Sequence, residues 1–258
     1  MYIFDWEVFW KYVWPPTAFQ NPLIRNGFIV TILVSIIAQF LGLLLGLIAA
    51  LAKKSKLPLF RWLSDLYVWY FRGTPLLVQM MLLFFGLGVT HIYDFPSIHI
   101  GPWTISGAIQ AGILALAINE GAYMAEIVRA GIEAIDPGQL EAAKSLGMTY
   151  GTAMRRIILP QALKVIIPPL GNEFNNMMKT TSIMVVISAG ELFYGFTQVN
   201  AVIFQPFELF IAASIYYLEM TTIWSLIQSR IEASLGERKG LDKGPSMVRR
   251  LLSGEGGH

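Results

Sequence analysis

Cysteine is absent from the 258 residues, which removes disulfides, thiolate metal sites and a cysteine nucleophile together. Histidine is scarce, with three residues. Two of them, His91 and His99, share a Pro/Gly loop with one carboxylate, Asp94, and read as solvated side chains rather than metal ligands. No GxxxxGK[ST] run occurs, so the chain does not bind ATP in the Walker manner. The segment MYIFDWEVFWKYVWPP has Asp5 and Glu7 but no basic region leading into an apolar run, and it does not read as a cleavable signal peptide. Charge is sparse as well: 14% of residues are charged, and the formal net charge is +2. That balance argues by itself neither for nor against nucleic acid, and no nucleic-acid partner is expected. No internal repeat is visible.

Hydrophobic residues dominate instead, at 55%, with a mean hydropathy of +0.55. Those values describe an all-α polytopic membrane protein rather than a soluble domain. From Gly27 to Ala52 the chain carries no charge over about 26 residues, enough to cross a hydrocarbon core of ~30 Å. Gly42 and Gly46 form a GxxxG pair that lets another helix approach closely. A second span is expected from Asp65 to Val89, interrupted in its first half by Arg72, Gly73, Thr74 and Pro75. A third runs from Trp103 to Val128, a fourth begins at Gln161, and a fifth covers Phe207 to Gln228. The connections 86–103 and 190–207 lack lysine and arginine, whereas Lys53, Lys54, Lys56 and Arg61 crowd one short connection. Most of the 19 basic residues fall in three segments that would then be cytoplasmic. Five transmembrane helices, N-out and C-in, satisfy both length and charge.

Three stretches divide the chain. Residues 1–22 form an N-terminal segment in which Trp6, Phe9, Trp10 and Val13 repeat at helical spacing; it lies in the membrane interface or packs on the protein's own surface. Residues 23–235 form the transmembrane domain. Residues 236–258, rich in Gly and Ser and basic at Arg238, Lys239, Lys243, Arg249 and Arg250, are expected to be a mobile cytoplasmic tail.

The one sizeable polar island between spans is the loop 134–160. Asp136 suits an N-cap, Pro137 the first helical position, and Gln139 a side chain reaching back in a capping box. Gly147 suits the C′ position, and Thr149 caps a second short helix carrying Arg155 and Arg156. Glu141, Ala142 and Ala143, then Gly147, then Ile157, Leu159 and Pro160 stand at fixed offsets. This spacing resembles the EAA loop of bacterial ABC importer permeases. FRGTPLLVQ at Phe71 to Gln79 resembles the second-span motif of the polar amino acid branch of that family, the histidine, glutamine and arginine permeases. Lys179-Thr180-Thr181-Ser182 followed by Glu191-Leu192 is similar to the family pattern as well.

Polar residues gather deep in the spans. Glu120 and Tyr123 sit a turn or more inside the third, while Glu126 and Arg129 pair at i and i+3 nearer its end. The fourth carries Pro168, Pro169 and Gly171, which should break it, then Asn172, Glu173, Asn176, Lys179, Thr180 and Ser182. Asn172, Asn176 and Lys179 share one face at i, i+4 and i+7. A charge at the bilayer centre costs about 2.5 to 3.5 kcal/mol on insertion scales, so Glu173 and Lys179 should face protein, water or cargo. Either these residues line a path for a zwitterion or they glue the bundle. Glu219 in the fifth span either lines the same path or pairs with Lys179, and the pairing is favoured.

The resemblance implies a type I importer permease fold in the bacterial inner membrane, multi-pass, working by alternating access. It implies a coupling helix around Glu141, Ala142, Ala143, Gly147, Arg155 and Arg156 that docks on separate ABC ATPase subunits. ATP and magnesium would be held by those subunits; the chain has no catalytic residue, metal or cofactor of its own. A second permease subunit, identical or paralogous, an extracytoplasmic substrate-binding protein, membrane lipid and a polar amino acid substrate complete the implied partners. An ion-coupled secondary transporter or channel is the alternative, with Glu173, Lys179 and Glu219 as an ion relay.

Overall fold

The computed structural model describes residues 4–101 and 103–235. The expected tail 236–258 therefore lies outside the described residues. The first elements are short: α1 (Trp6–Val13), capped by Asp5, and α2 (Pro15–Ala18). Helix α3 (Pro22–Lys53) follows, capped by Asn21 with proline at its first position. Its buried face is small: Gly27, Thr31, Ser35, Ala38, Gly42, Gly46 and Ala49 point inward. Leu33, Ile36, Phe40, Leu44, Leu47 and Ile48 point outward, as a lipid-facing stripe requires.

The inward face meets α7 (Gly107–Glu133), and this is the largest helix contact in the chain. A Cβ at Gly42 would lie 2.7 Å from Glu120 Cγ, and one at Gly46 would lie 2.9 Å from both the Ala125 nitrogen and the Gly121 carbonyl oxygen. The GxxxG pair is thus a point of backbone approach. Between these helices come α4 (Pro58–Gly73), α5 (Leu76–Met81), a π turn at Leu82–Gly86 and α6 (Leu87–Val89). The expected second span is not one helix: Pro58–Gly73 and Leu76–Val89 meet at 107°. Pro75 removes a helical N–H and bars α geometry at Thr74, whose backbone is extended, so the chain turns there.

The third span also starts later than expected. Trp103 belongs to β2 (Trp103–Ile105), antiparallel to β1 (Ile98–Ile100), and α7 begins only after the Ser106 cap. This two-stranded hairpin is the one departure from an all-α fold among the described residues. After α7 the polar loop forms α8 (Pro137–Ser145) and α9 (Tyr150–Ala153), and a π turn at Met154–Ile158 leads into α10 (Leu159–Thr180). Helix α10 runs unbroken through Pro168 and Pro169. The break expected there lies further on, at a 3₁₀ stretch Thr181–Ile187 and a left-handed Ser188.

Past the break, α11 (Leu192–Ile203) is tilted by 48°, and α12 (Pro206–Ser234) returns along α10. Glu191, fully buried, caps α11 by accepting from the Phe193 and Tyr194 nitrogens at 2.9 and 2.6 Å. It also accepts from Tyr217 Oη of α12 at 2.8 Å, and Thr31 of α3 accepts from the Leu192 nitrogen at 3.1 Å. One buried carboxylate thereby ties the broken segment to its neighbours. Among the described residues α3, α7 and α12 are long and apolar enough to cross a membrane, and the two bent pairs raise the number to as many as five.

Helix α1 packs on the protein's own surface. Val8, Tyr12 and Val13 pack into the core cluster of α11 and α12, and Tyr216 Oη donates to the Val13 carbonyl at 3.2 Å. Trp6, Trp10 and Trp14 are exposed.

Gly46→Val should lower the thermal stability of the solubilised protein by about 1–3 kcal/mol, since α3 must retreat from α7. Gly73→Ala, with open space around it, should leave the melting temperature within error.

Candidate functional site

Two features stand out: a polar cavity between spans and the knob formed by α8 and α9. The cavity holds about 260 Å³. Helix α7 contributes Asn119, Glu120 and Tyr123; α10 contributes Glu173, Asn176, Met177 and Thr180; Leu76 and Ile183 close it. The α10 residues follow i, i+3, i+4 and i+7, one stripe of a helix. Five of the expected path residues therefore converge: Glu120, Tyr123, Glu173, Asn176 and Thr180.

The other four do not. Asn172 turns toward α12, where its Oδ1 accepts from Gln228 Nε2 at 3.1 Å. Lys179 lines a separate surface groove with Leu218, Thr221, Thr222 and Ser225 of α12. The face predicted for Asn172, Asn176 and Lys179 is thus split, because the stripe facing the cavity is centred on Glu173 and Asn176. Ser182 donates to the Lys179 carbonyl at 2.7 Å and finishes the helix. Glu219 is exposed on α12, and the four ion pairs among the described residues include neither it nor Lys179. The favoured Lys179–Glu219 pairing is not made, since α12 presents Leu218 and Thr222 to Lys179 instead.

Cavity walls are braced by residues that sequence reasoning passed over. Gln39 of α3 donates to Glu120 Oε1 at 3.0 Å, and burial of that pair follows from the Gly42 contact one turn on. At the α4–α5 bend, Gln79 Nε2 donates to the Phe71 and Thr74 carbonyls, each at 3.0 Å, and to Thr74 Oγ1 at 2.7 Å. Asn119 Nδ2 donates to the Phe71 carbonyl at 2.9 Å and to Gln79 Oε1 at 3.0 Å. These amides take up carbonyls that the bend frees from helical bonding. Arg72, at the bend, stands over the Tyr123 ring with its guanidinium carbon 5.3 Å from the ring centre. Arg72 itself is exposed and meets the site through that ring.

Charges at the far end of α7 form a chain. Lys53 of α3 contacts Asp65 of α4 at 3.0 Å and Glu126 at 3.3 Å; Arg129 contacts Glu126 at 2.7 Å and Glu133 at 2.6 Å. All are partly exposed, so each contributes on the order of 1 kcal/mol at most. Their effect is to fix the registry of α3, α4 and α7 just before the knob.

The knob follows its sequence signals closely. Asp136 Oδ1 accepts from the Gly138 nitrogen at 2.8 Å, although Gln139 makes no reciprocal capping bond. At the other end the Met148 nitrogen donates to the Ala143 carbonyl at 3.1 Å and the Gly147 nitrogen to that of Lys144 at 2.9 Å. Gly147 holds φ +79°, the left-handed stop that this pair of bonds requires. Thr149 caps α9 through the Thr152 nitrogen at 3.3 Å. Glu141, Ala142, Gly147, Arg155 and Arg156 are exposed, but Ala143 is buried together with Ala153. Ala143 thus joins the two short helices and is not on the outer surface of the knob. Leu146 and Tyr150 are the large apolar groups exposed there. Among the described residues no cluster of metal-ligating side chains occurs.

Residues 42–237 match the family model described as binding-protein-dependent transport system inner membrane component. The arginine transport system permease protein ArgU of Corynebacterium glutamicum is 37% identical over 89% of this chain and 71% of its own length. The arginine transport system permease protein ArtQ of Bacillus subtilis is 36% identical over 84% of this chain and 94% of its own. A crystal structure of an amino acid ABC transporter with histidines contains a chain 40% identical to this one, with a TM-score of 0.76 over 85% of this chain and 97% of that chain. An inward-facing structure of the MetNI methionine ABC transporter, 17% identical with a TM-score of 0.66, shares the fold.

Gln79→Leu strands the Thr74 carbonyl and one donor of Asn119, while the Phe71 carbonyl keeps its bond from Asn119. It should cost about 1–3 kcal/mol, read as a lower melting temperature of the solubilised protein.

Proposed function

Since this chain belongs to the binding-protein-dependent transport system inner membrane component family, we propose that it is the permease subunit of an ATP-driven importer of polar amino acids, with five spans, N-out and C-in, in a bacterial inner membrane. The chain is a transport subunit and not an enzyme; ATP and magnesium belong to separate ATPase subunits. A second permease subunit and an extracytoplasmic binding protein complete the assembly. Residues 1–22 lie in the outer membrane interface, 23–235 form the permease domain, and 236–258 form a cytoplasmic tail. The knob 134–160 is the coupling element through which ATPase closure reorients the spans. Support comes from its exposed, charged surface around Glu141, Arg155 and Arg156, set off by a glycine stop.

The cavity on α7 and α10 is the cargo path. Its single most informative feature is that Glu120 and Glu173 face one 260 Å³ space beside Tyr123, whose ring the Arg72 guanidinium contacts. Two carboxylates suit a cationic side chain or an α-amino group, and the guanidinium suits an α-carboxylate. Asn176 adds an amide at the same wall, and Thr180, whose proton is donated to the Asn176 carbonyl at 2.9 Å, adds an acceptor. Cargo with a basic side chain is favoured, and two of the relatives are arginine permeases by name. The ion-relay alternative loses its geometry, since Lys179 and Glu219 lie away from Glu173.

Two measurements test these assignments. Gly147→Asn, which tolerates the left-handed region, should keep ATPase activity coupled to uptake in the reconstituted complex. Gly147→Val strains that position by roughly 1–2 kcal/mol, and should leave ATPase turnover while uptake falls. Equal coupling in both variants would remove the knob's role. Glu173→Gln should raise KM for a cationic amino acid about tenfold and change that for a neutral one much less; an equal change for both would exclude Glu173 from recognising the cation.

A further inference from the structure

The outer surface of the helices has two unlike sides. Along α3 it is apolar, with Leu33, Phe40, Leu44 and Ile48 exposed. Along α10 and α12 it is polar: Asn175 and Lys179 of α10 share an open groove with Leu218, Thr222 and Ser225 of α12. Asn175 Nδ2 donates to Ser225 Oγ at 3.0 Å, and Ser225 and Thr221 give their own protons to α12 carbonyls at 2.8 and 2.9 Å. These groups are satisfied within the chain, but two charges on the same side are not. Lys179 and Glu219 are both exposed, and neither enters any of the ion pairs among the described residues. Glu219 stands near the middle of α12, a helix long and apolar enough to cross a membrane, where an uncompensated charge against lipid is unfavourable.

We propose that a second copy of the chain packs on this α10–α12 face about a twofold axis along the membrane normal, with Lys179 of each copy against the partner's Glu219. The pairing rests on the chain being a permease subunit, and it names the second subunit as identical. Two copies with their N-termini on one side of the membrane can share a twofold axis only along the normal, and such an axis carries every residue to its own depth. Groups that meet across it must therefore stand at one level. Lys179 shares the groove with Leu218 and Thr222, which bracket Glu219 along α12, so the two charges are level. The same two residues face Lys179 within one chain and leave Glu219 to point elsewhere.

The signs select the occupant. A face with one cation and one anion is complementary to itself under a twofold rotation, which makes two ion pairs at once. A partner of a single sign would neutralise one charge and repel the other, and acyl chains would neutralise neither. Thr222 and Ser225 are small, and small hydroxyl residues let a second helix approach closely in a membrane. Asn176 and Thr180, one position round α10 from Asn175 and Lys179, line the polar cavity. A second copy seated on Lys179 therefore borders that cavity on its α10 side.

The chain has no cysteine, so introduced thiols report alone. Two differently tagged copies, one with Lys179→Cys and the other with Glu219→Cys, are assembled with the ATPase subunits in membranes and treated with a short bis-maleimide. A cross-link joining the two tags should form in about tenfold higher yield than one between Lys179→Cys and Leu44→Cys on the apolar side. Should the Glu219→Cys copy not assemble, Thr222→Cys takes its place. Lys179→Glu sets like charges opposite each other and should lower the recovered dimer about tenfold; the double exchange Lys179→Glu with Glu219→Lys should restore it, which a mere folding defect would not allow. Equal cross-linking to Leu44→Cys, no rescue by the double exchange, or a cross-link to a different membrane protein in place of the tagged copy would each overturn the interface. Absence of the cross-link in a complex that imports with ATP overturns the interface and leaves the permease reading standing. The cross-link in a complex whose uptake ignores ATP supports the interface and counts against the ATP-driven reading.

Discussion

The close packing of α3 on α7 decides where everything else in this chain stands. Gly42 and Gly46 let the backbones meet, and Glu120 lies directly on Gly42. In a membrane there is no water to drive such a contact, so dispersion and shape carry it, and only residues without side chains permit it. With α3 against one face, the remaining faces of α7 are left for α4, α5 and α10. The polar cavity forms on the side of α10.

A second constraint is the backbone at the two breaks. Hydrocarbon offers no partner for a freed N–H or C=O, so each interruption needs side chains to replace the lost bonds. Gln79 and Asn119 do this at the 107° turn, and Glu191 does it at the entry to α11. Gln228 and Trp224 reach across from α12 to the carbonyls of Pro168 and Gly171, at 3.2 and 2.8 Å. Side chains that look like cargo contacts in a polar list are in several cases committed to the backbone. The residues left uncommitted, Glu173 and Asn176 above all, are the ones facing the cavity.

Much of the knob was legible residue by residue. Asp136, Gly147 and Thr149 act through bonds to their own near neighbours, and such bonds depend on spacing alone. The GxxxG pair was legible for a similar reason, since what matters is the absence of side chains at one helical repeat. The prolines misled in both directions: Pro75 marks a turn far sharper than an interruption, while Pro168 and Pro169 sit within a continuous helix. The chemistry of the residue is identical in each case; neighbouring helices decide whether the freed groups find partners. The hairpin at Ile98–Ile105 escaped notice because its short strands merge into the apolar start of a span.

From the amino-acid order alone came the membrane class, the family resemblance, the approximate spans and the form of the polar knob, because hydropathy and capping are local quantities. Which polar residues share a cavity was decided only by the tertiary structure. Helical phase tells which side chains align on one helix, but not which of those stripes meets a neighbour. Asn176 lines the cavity with Glu173 and Thr180, Asn172 and Lys179 turn to α12, and Glu120 is fixed by Gln39, eighty-one residues earlier in the chain. These outcomes depend on how α3, α7, α10 and α12 are rotated against one another, which follows from the packing of the helices together and not from any one of them.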